Sequence, residues 1–146
     1  MKHLLSILTL LFLSACTMGI KSPSYPQGLQ ALNTYVNDRI TYFPDFGGDY
    51  WQTPEETLRL GTGDCEDYVF LKASLTGYPQ RLHIVQAPNS LHAILEVEVR
   101  GRSWYLDNRF PDILTSGEKT WLYGKSLAVG DVWEQLEIKR KQTGTH

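Results

Sequence analysis

The stretch Gly61-Thr62-Gly63-Asp64-Cys65-Glu66-Asp67-Tyr68 sets a cysteine among three carboxylates, directly after two glycines. The nucleophilic form of cysteine is the thiolate, and neighbouring negative charge disfavours it. The local pattern supplies a counterweight. Gly63-Asp64 reads as a helix start, with Asp64 as N-cap and Cys65 at the first helical position. A sulfur there faces unpaired backbone N–H groups and the positive end of the helix dipole, an arrangement that lowers a thiol pKa. The same N–H groups can hold an oxyanion, so the position suits acyl transfer through a thioester.

Such a thiol needs a base. Of the four histidines, His3 precedes an apolar N-terminal run and His146 is the last residue, which leaves His83 and His92. His92 opens the alternating stretch His92–Val99, and Ser103–Asn108 follows it. If Arg100-Gly101 is a two-residue hairpin turn, Val99 pairs with Arg102, Val97 with Trp104 and Leu95 with Leu106. One face is then apolar, and the other carries His92, Ile94, Glu96, Tyr105 and Asp107. His92 and Asp107 become diagonal neighbours, about 7–8 Å apart at Cα and within side-chain reach. A histidine oriented by an aspartate completes a Cys-His-Asp arrangement. Asn108 falls on the opposite face by parity, and His83 is the fallback base.

Elements must deliver these groups to one place. Leu29, Leu32, Val36 and Ile40 recur at helical spacing. Thr53-Pro54-Glu55-Glu56 is a helix start with proline at the first position and a capping box. The helix from Cys65 runs through Tyr68, Val69, Leu71, Lys72 and Leu75 towards a C-cap at Gly77. Beyond Gly77 the period becomes two, which predicts strands over 82–85, 93–99 and 103–108. Helices first and strands afterwards predict an α+β domain: N-terminal helices, one with the cysteine at its N-terminus, packed on an antiparallel sheet. The last third, with Trp121, Tyr123 and Trp133, is expected to add a strand or two.

With 146 residues the chain has room for one domain. Its net charge of -2 gives no electrostatic footprint for nucleic acid. Met1-Lys2-His3 followed by the apolar run Leu4 to Leu13 suits a secretory signal and is too short to span a bilayer. Leu13-Ser14-Ala15-Cys16 resembles the lipobox of bacterial lipoproteins. That resemblance implies a signal peptide over 1–15, acylation of Cys16, a lipidated tether over 16–28 and a domain over 29–146. Thr17, where an aspartate would retain the protein at the inner membrane, implies the periplasmic face of the outer membrane. With Cys16 lipidated, Cys65 is a lone thiol in an exported protein.

The stretch YWQTPEETLRLGTGDCEDYVFLK, followed by HAILEV and YLDN, resembles the bacterial transglutaminase-like cysteine peptidases. Those are exported papain-like enzymes known for cutting large surface adhesins and so releasing biofilm. The likeness runs from about Asn33 to Asn108. It implies a papain-like, transglutaminase-like core, with Cys65 as nucleophile, His92 as base and Asp107 as orienting acid. It also implies calcium held by Asp64 and Glu66. Calcium takes six to eight oxygens, so Asp45, Asp49, Asp67 or backbone carbonyls would complete the shell. Physical reasoning is compatible, because a cation held by carboxylates beside a thiol cancels their effect on it. Trp51 or Gln52 would supply a second oxyanion donor or a substrate wall. The expected activity is hydrolysis of a protein amide bond, the partner being a protein such as a surface adhesin. Acyl transfer to an amine, cell-wall endopeptidase activity and a non-enzymatic binding role are the alternatives.

Overall fold

A computed structural model describes residues 26–144. The expected signal peptide, Cys16 and the tether up to residue 25 lie outside the described residues. The first helix, α1 (Gln27–Arg39), begins two residues before the expected start of the domain at Leu29 and buries Leu29, Asn33 and Val36. No helix among the described residues is long and apolar enough to cross a membrane.

Helix α2 (Pro54–Leu60) starts as its sequence requires: Thr53 accepts from the Glu56 N–H, Glu56 Oε2 accepts from the Thr53 N–H at 2.7 Å, and Pro54 occupies the first turn. Gly61 ends it in the left-handed conformation at φ 68°. A parallel pair of two-residue strands, β1 (Thr41–Tyr42) and β2 (Thr62–Gly63), joins the end of α1 to the approach of α3 (Cys65–Ser74). Helix α3 is the buried centre of the molecule, enclosed from Asp67 to Ala73. It stops at Ser74, with Leu75 as its cap, so the expected C-cap at Gly77 lies beyond the helix.

The sheet follows. Strands β3 (Gln80–Gln86), β4 (Leu91–Val99) and β5 (Arg102–Leu106) each begin before the expected start, but β5 ends at Leu106, so Asp107 and Asn108, expected within it, follow the strand. Two short strands, β6 (Leu114–Thr115) and β7 (Ala128–Gly130), complete an antiparallel sheet of order β6-β5-β4-β3-β7. The β4–β5 hairpin has the expected register, with Val99 opposite Arg102, Val97 opposite Trp104 and Leu95 opposite Leu106. Its turn residues Arg100 and Gly101 have φ of 53° and 73°, the mirror-image turn that follows strand twist.

The two sheet faces differ in cover. Leu82, Ala93, Leu95, Val97, Trp104 and Leu106 face Val69, Phe70 and Ala73 of α3 and form the main core. Val132 and Leu136 of α5 (Val132–Thr143) join it. On the other face Val85, Ile94, Tyr105 and Leu114 pack with Tyr123 of α4 (Ser116–Tyr123). The last third thus adds two short strands, as expected, and two helices that periodicity in strands does not foresee.

One buried polar link ties the first helix to the chain beyond β5. Lys72 Nζ donates to Asn33 Oδ1 at 2.7 Å, and Asn33 Nδ2 donates to the carbonyls of Phe110 and Pro111, each at 3.1 Å. Lys72 is 1% exposed, and burial pulls its pKa down to about 7. Asn37 Nδ2 adds bonds to the carbonyls of Asp107 and Phe110. These bonds fix the segment that carries Asp107.

Candidate active site

Cys65 occupies the first position of α3. Two local devices hold it there. A Cβ on Gly63 would stand 2.6 Å from Asp67 Cβ and 2.8 Å from Asp67 Oδ2, so only glycine lets the incoming strand lie against the helix's first turn. Asp67 then accepts from the Asp64 N–H at 3.1 Å and from the Gln52 N–H at 2.8 Å, bolting the segment before α2 to the start of α3. Burial raises its carboxyl to about 7 against those two donors. Asp67, expected among the possible calcium oxygens, instead spends both oxygens on this internal joint.

The Cys65 sulfur lies against the first residues of β4, where the Ala93 N–H points at it and favours the thiolate. Burial and the Glu66 charge act the other way and push the thiol pKa up. The thiol proton goes to Glu66 Oε2 at 3.0 Å. Among the described residues Cys65 and His92 share no direct hydrogen bond, so Cys65 rests as a thiol bonded to its acidic neighbour.

His92 and Asp107 do meet. His92 Nε2 donates to Asp107 Oδ1 at 2.8 Å, with both residues buried. The hydrogen-bond pattern assigns the proton to Nε2 and leaves Nδ1 without one. Asp107 also accepts from the Arg109 N–H at 2.9 Å and from the Tyr123 hydroxyl through Oδ2. Burial opposes its charge, but these donors win and hold the carboxyl below its ordinary value. His83, the fallback base, is engaged elsewhere: its Nε2 meets Glu96 Oε2 at 2.5 Å and its Nδ1 meets Ser126 Oγ at 2.8 Å.

The acidic flank is a cluster of mutually repelling charges. Burial, then the charge of Asp67, raises Asp64 to about 7; burial, then the charge of Asp64, raises Glu66 to about 8. Asp64 Oδ1 is buried without a hydrogen-bond partner. Asp45 and Asp49 add their charges to the field at Asp64. Asp49 accepts from the Trp51 indole N–H at 3.0 Å and pairs with Lys139 of α5. Among the described residues no three metal-ligating side chains already converge on one point. The donor set is nevertheless all oxygen, carries uncompensated charge and holds an orphaned buried carboxylate oxygen, which fits a hard cation such as calcium.

The remaining expected residues divide. Trp51 packs on Phe70 at 5.3 Å between ring centres and spends its N–H on Asp49. Gln52 is buried beside the α3 N-terminus, with Oε1 lacking a hydrogen-bond partner. A cleft of about 410 Å³ opens on the His92 side, lined by Tyr42, the Ala87–Ser90 loop, Asn108 and Arg109. Tyr123 was not foreseen from the sequence. Its one signal is the spacing of Lys119 and Tyr123, the two buried residues of α4, at i and i+4.

A model of the bacterial transglutaminase-like cysteine proteinase family (BTLCP) matches residues 17–141. Among solved structures, calcium-bound LapG of Legionella pneumophila is similar with a TM-score of 0.64 and 22% identity, over 82% of this chain and 81% of that one. The EGTA-treated form of the same protein gives a TM-score of 0.61 and 23% identity, over 82% and 80%. At these identities the likeness speaks for the fold. The UPF0252 protein of Pyrococcus horikoshii is 32% identical over 84 residues, 53% of this chain, and the chain spans 27% of that relative's length.

Proposed function

The chain belongs to the bacterial transglutaminase-like cysteine proteinases, and from that premise we propose that it hydrolyses a protein amide bond with Cys65 as nucleophile, His92 as base and Asp107 as orienting acid. The observation that carries the reading is the buried His92–Asp107 hydrogen bond at 2.8 Å, on the strand whose next residue touches the Cys65 sulfur. His92 Nδ1 takes the thiol proton, and the thiolate attacks the scissile carbonyl carbon. The Cys65 N–H, at the open end of α3, meets the oxyanion. Gln52 is the better second donor, because the Trp51 N–H is engaged by Asp49. The imidazolium returns its proton to the departing amine, and water then cleaves the thioester by the same base.

Asp64 and Glu66 would hold calcium, with Asp45 and Asp49 nearby to complete the shell. Bound there, the ion supplies positive charge that offsets the carboxylates beside the thiol. With that charge offset, Glu66 would no longer hold the thiol proton, which would be available to His92. The raised pKa values of Asp64 and Glu66 and the orphaned Asp64 oxygen support this reading, as does the calcium-bound form of LapG.

The substrate is an extended protein segment, a surface adhesin by the family's habit, entering along the cleft beside His92. The chain acts from the periplasmic face of the outer membrane, anchored by lipid on Cys16. Mass spectrometry of the mature N-terminus and release of a Cys16→Ala variant into the soluble fraction test the anchor. The chemistry is tested by purified protein and an adhesin fragment with calcium present. Cleavage should be lost in Cys65→Ala and in His92→Ala, and full cleavage by either variant would sink the assignment.

A further inference from the structure

The Asp107 carboxylate is 1% exposed, and each of its oxygens needs a donor. Oδ1 takes two, from His92 Nε2 and the Arg109 N–H. Oδ2 takes the Tyr123 hydroxyl, on the side where Val85, Ile94, Leu114 and Tyr123 form an apolar cluster. The last torsion of an aspartate is broad, so the carboxylate plane is not fixed by the side chain itself. It is fixed by donors from three places: β4, the segment after β5, and α4. We propose that Tyr123 is a positioning residue for the His92–Asp107 pair, holding the carboxylate so that Oδ1 faces His92 Nε2 and Nδ1 is left free.

Three further observations support this assignment. The Tyr123 and His92 rings lie 5.9 Å apart, tilted by 41°, so the phenol also limits the swing of the imidazole. Burial and the Asp107 charge keep the phenol protonated and hence a donor. The other charged groups nearby do not take its place: Lys72 of α3 gives its ammonium to Asn33, and Arg109 bonds Asp107 through its backbone N–H while its guanidinium is turned to the Tyr123 ring, 6.0 Å from the ring centre. The proposal rests on the reading of Cys65, His92 and Asp107 as the catalytic group, and it makes the C-terminal third part of the active site.

The test is Tyr123→Phe in the full chain, followed by nitrogen-15 NMR of labelled histidine and by kinetics. In the unaltered protein His92 should be almost wholly the Nε2–H tautomer. In the phenylalanine variant the Nδ1–H tautomer should appear, and kcat should fall by about 10- to 100-fold with KM within about twofold. A folded variant that keeps both the tautomer and kcat overturns the proposal. A second measurement needs no variant: the Tyr123 hydroxyl proton should exchange slowly at low field, and exchange as fast as in an exposed tyrosine also overturns it. The tautomer requires no substrate, so the two claims fail separately. An inactive wild type whose tautomer responds to Tyr123→Phe sinks the peptidase reading; an active one that ignores the change sinks the positioning role.

Discussion

The thiol of Cys65 bonds to Glu66 Oε2 at 3.0 Å, on the neighbouring residue, while His92 is committed through Nε2 to Asp107. The thiol and the imidazole proposed as its base are therefore each held by another partner and share no hydrogen bond. Burial does most to hold the thiol protonated, and the Glu66 charge and hydrogen bond add to it. What neutralises or withdraws Glu66 thus favours the thiolate, and this relationship yields the first prediction.

Cys65 alkylation by iodoacetamide near pH 7.5 should accelerate at least tenfold when calcium replaces EGTA, since each unit of thiol pKa is worth a factor of ten in thiolate. Glu66→Gln should react faster than wild type in EGTA and respond little to calcium. Equal rates for wild type in both conditions would remove the switch.

Stability should respond to pH with a definite sign. Asp64, Glu66 and Asp67 are raised in the folded protein to about 7, 8 and 7, from 3.8, 4.5 and 3.8. Between about pH 4 and pH 8 the folded state binds more protons than the unfolded one, so these groups make the metal-free protein less stable as pH rises. Calcium should raise Tm more at pH 8 than at pH 5, a difference of about 5 °C or more, measured by thermal melts in EGTA and in calcium. A calcium effect independent of pH would contradict the assignment of the carboxylates.

Gly63→Ala should destabilise the chain by about 1–3 kcal/mol, because its Cβ meets Asp67 in a joint with no room to shift. Urea unfolding gives the value. The variant should also lose thiol reactivity, since the joint places the first turn of α3.

Asn33→Ala should cost about 2–3 kcal/mol by leaving the buried Lys72 ammonium without its acceptor. It should also lower kcat, because Asn33 helps hold the segment beyond Asp107. Denaturant midpoints and kinetics on one preparation separate the two effects.

Much of this site was legible because its parts are local or periodic. The Arg100-Gly101 turn and the alternation around it set the hairpin register as far as Leu106, and Asp107, the residue after β5, is close enough to bond His92. The helix start at Asp64-Cys65 was readable from capping chemistry. Tyr123 was not legible, because its contact with Asp107 depends on where α4 docks against the Ile94 and Tyr105 face of the sheet. The structural joint made by Asp67 was not legible for a related reason. A carboxylate in a first helical turn looks available to a metal until the Gln52 N–H, fifteen residues away, is seen to claim it.

The sheet ends on one side with the two residues of β6 and on the other with the three of β7. Edges so short offer a second molecule almost no ladder to extend. Were the chain anchored by lipid as proposed, it would meet its own copies at a concentration that favours strand-to-strand zippering. These clipped borders would let such neighbours collide and part without extending one another's sheet.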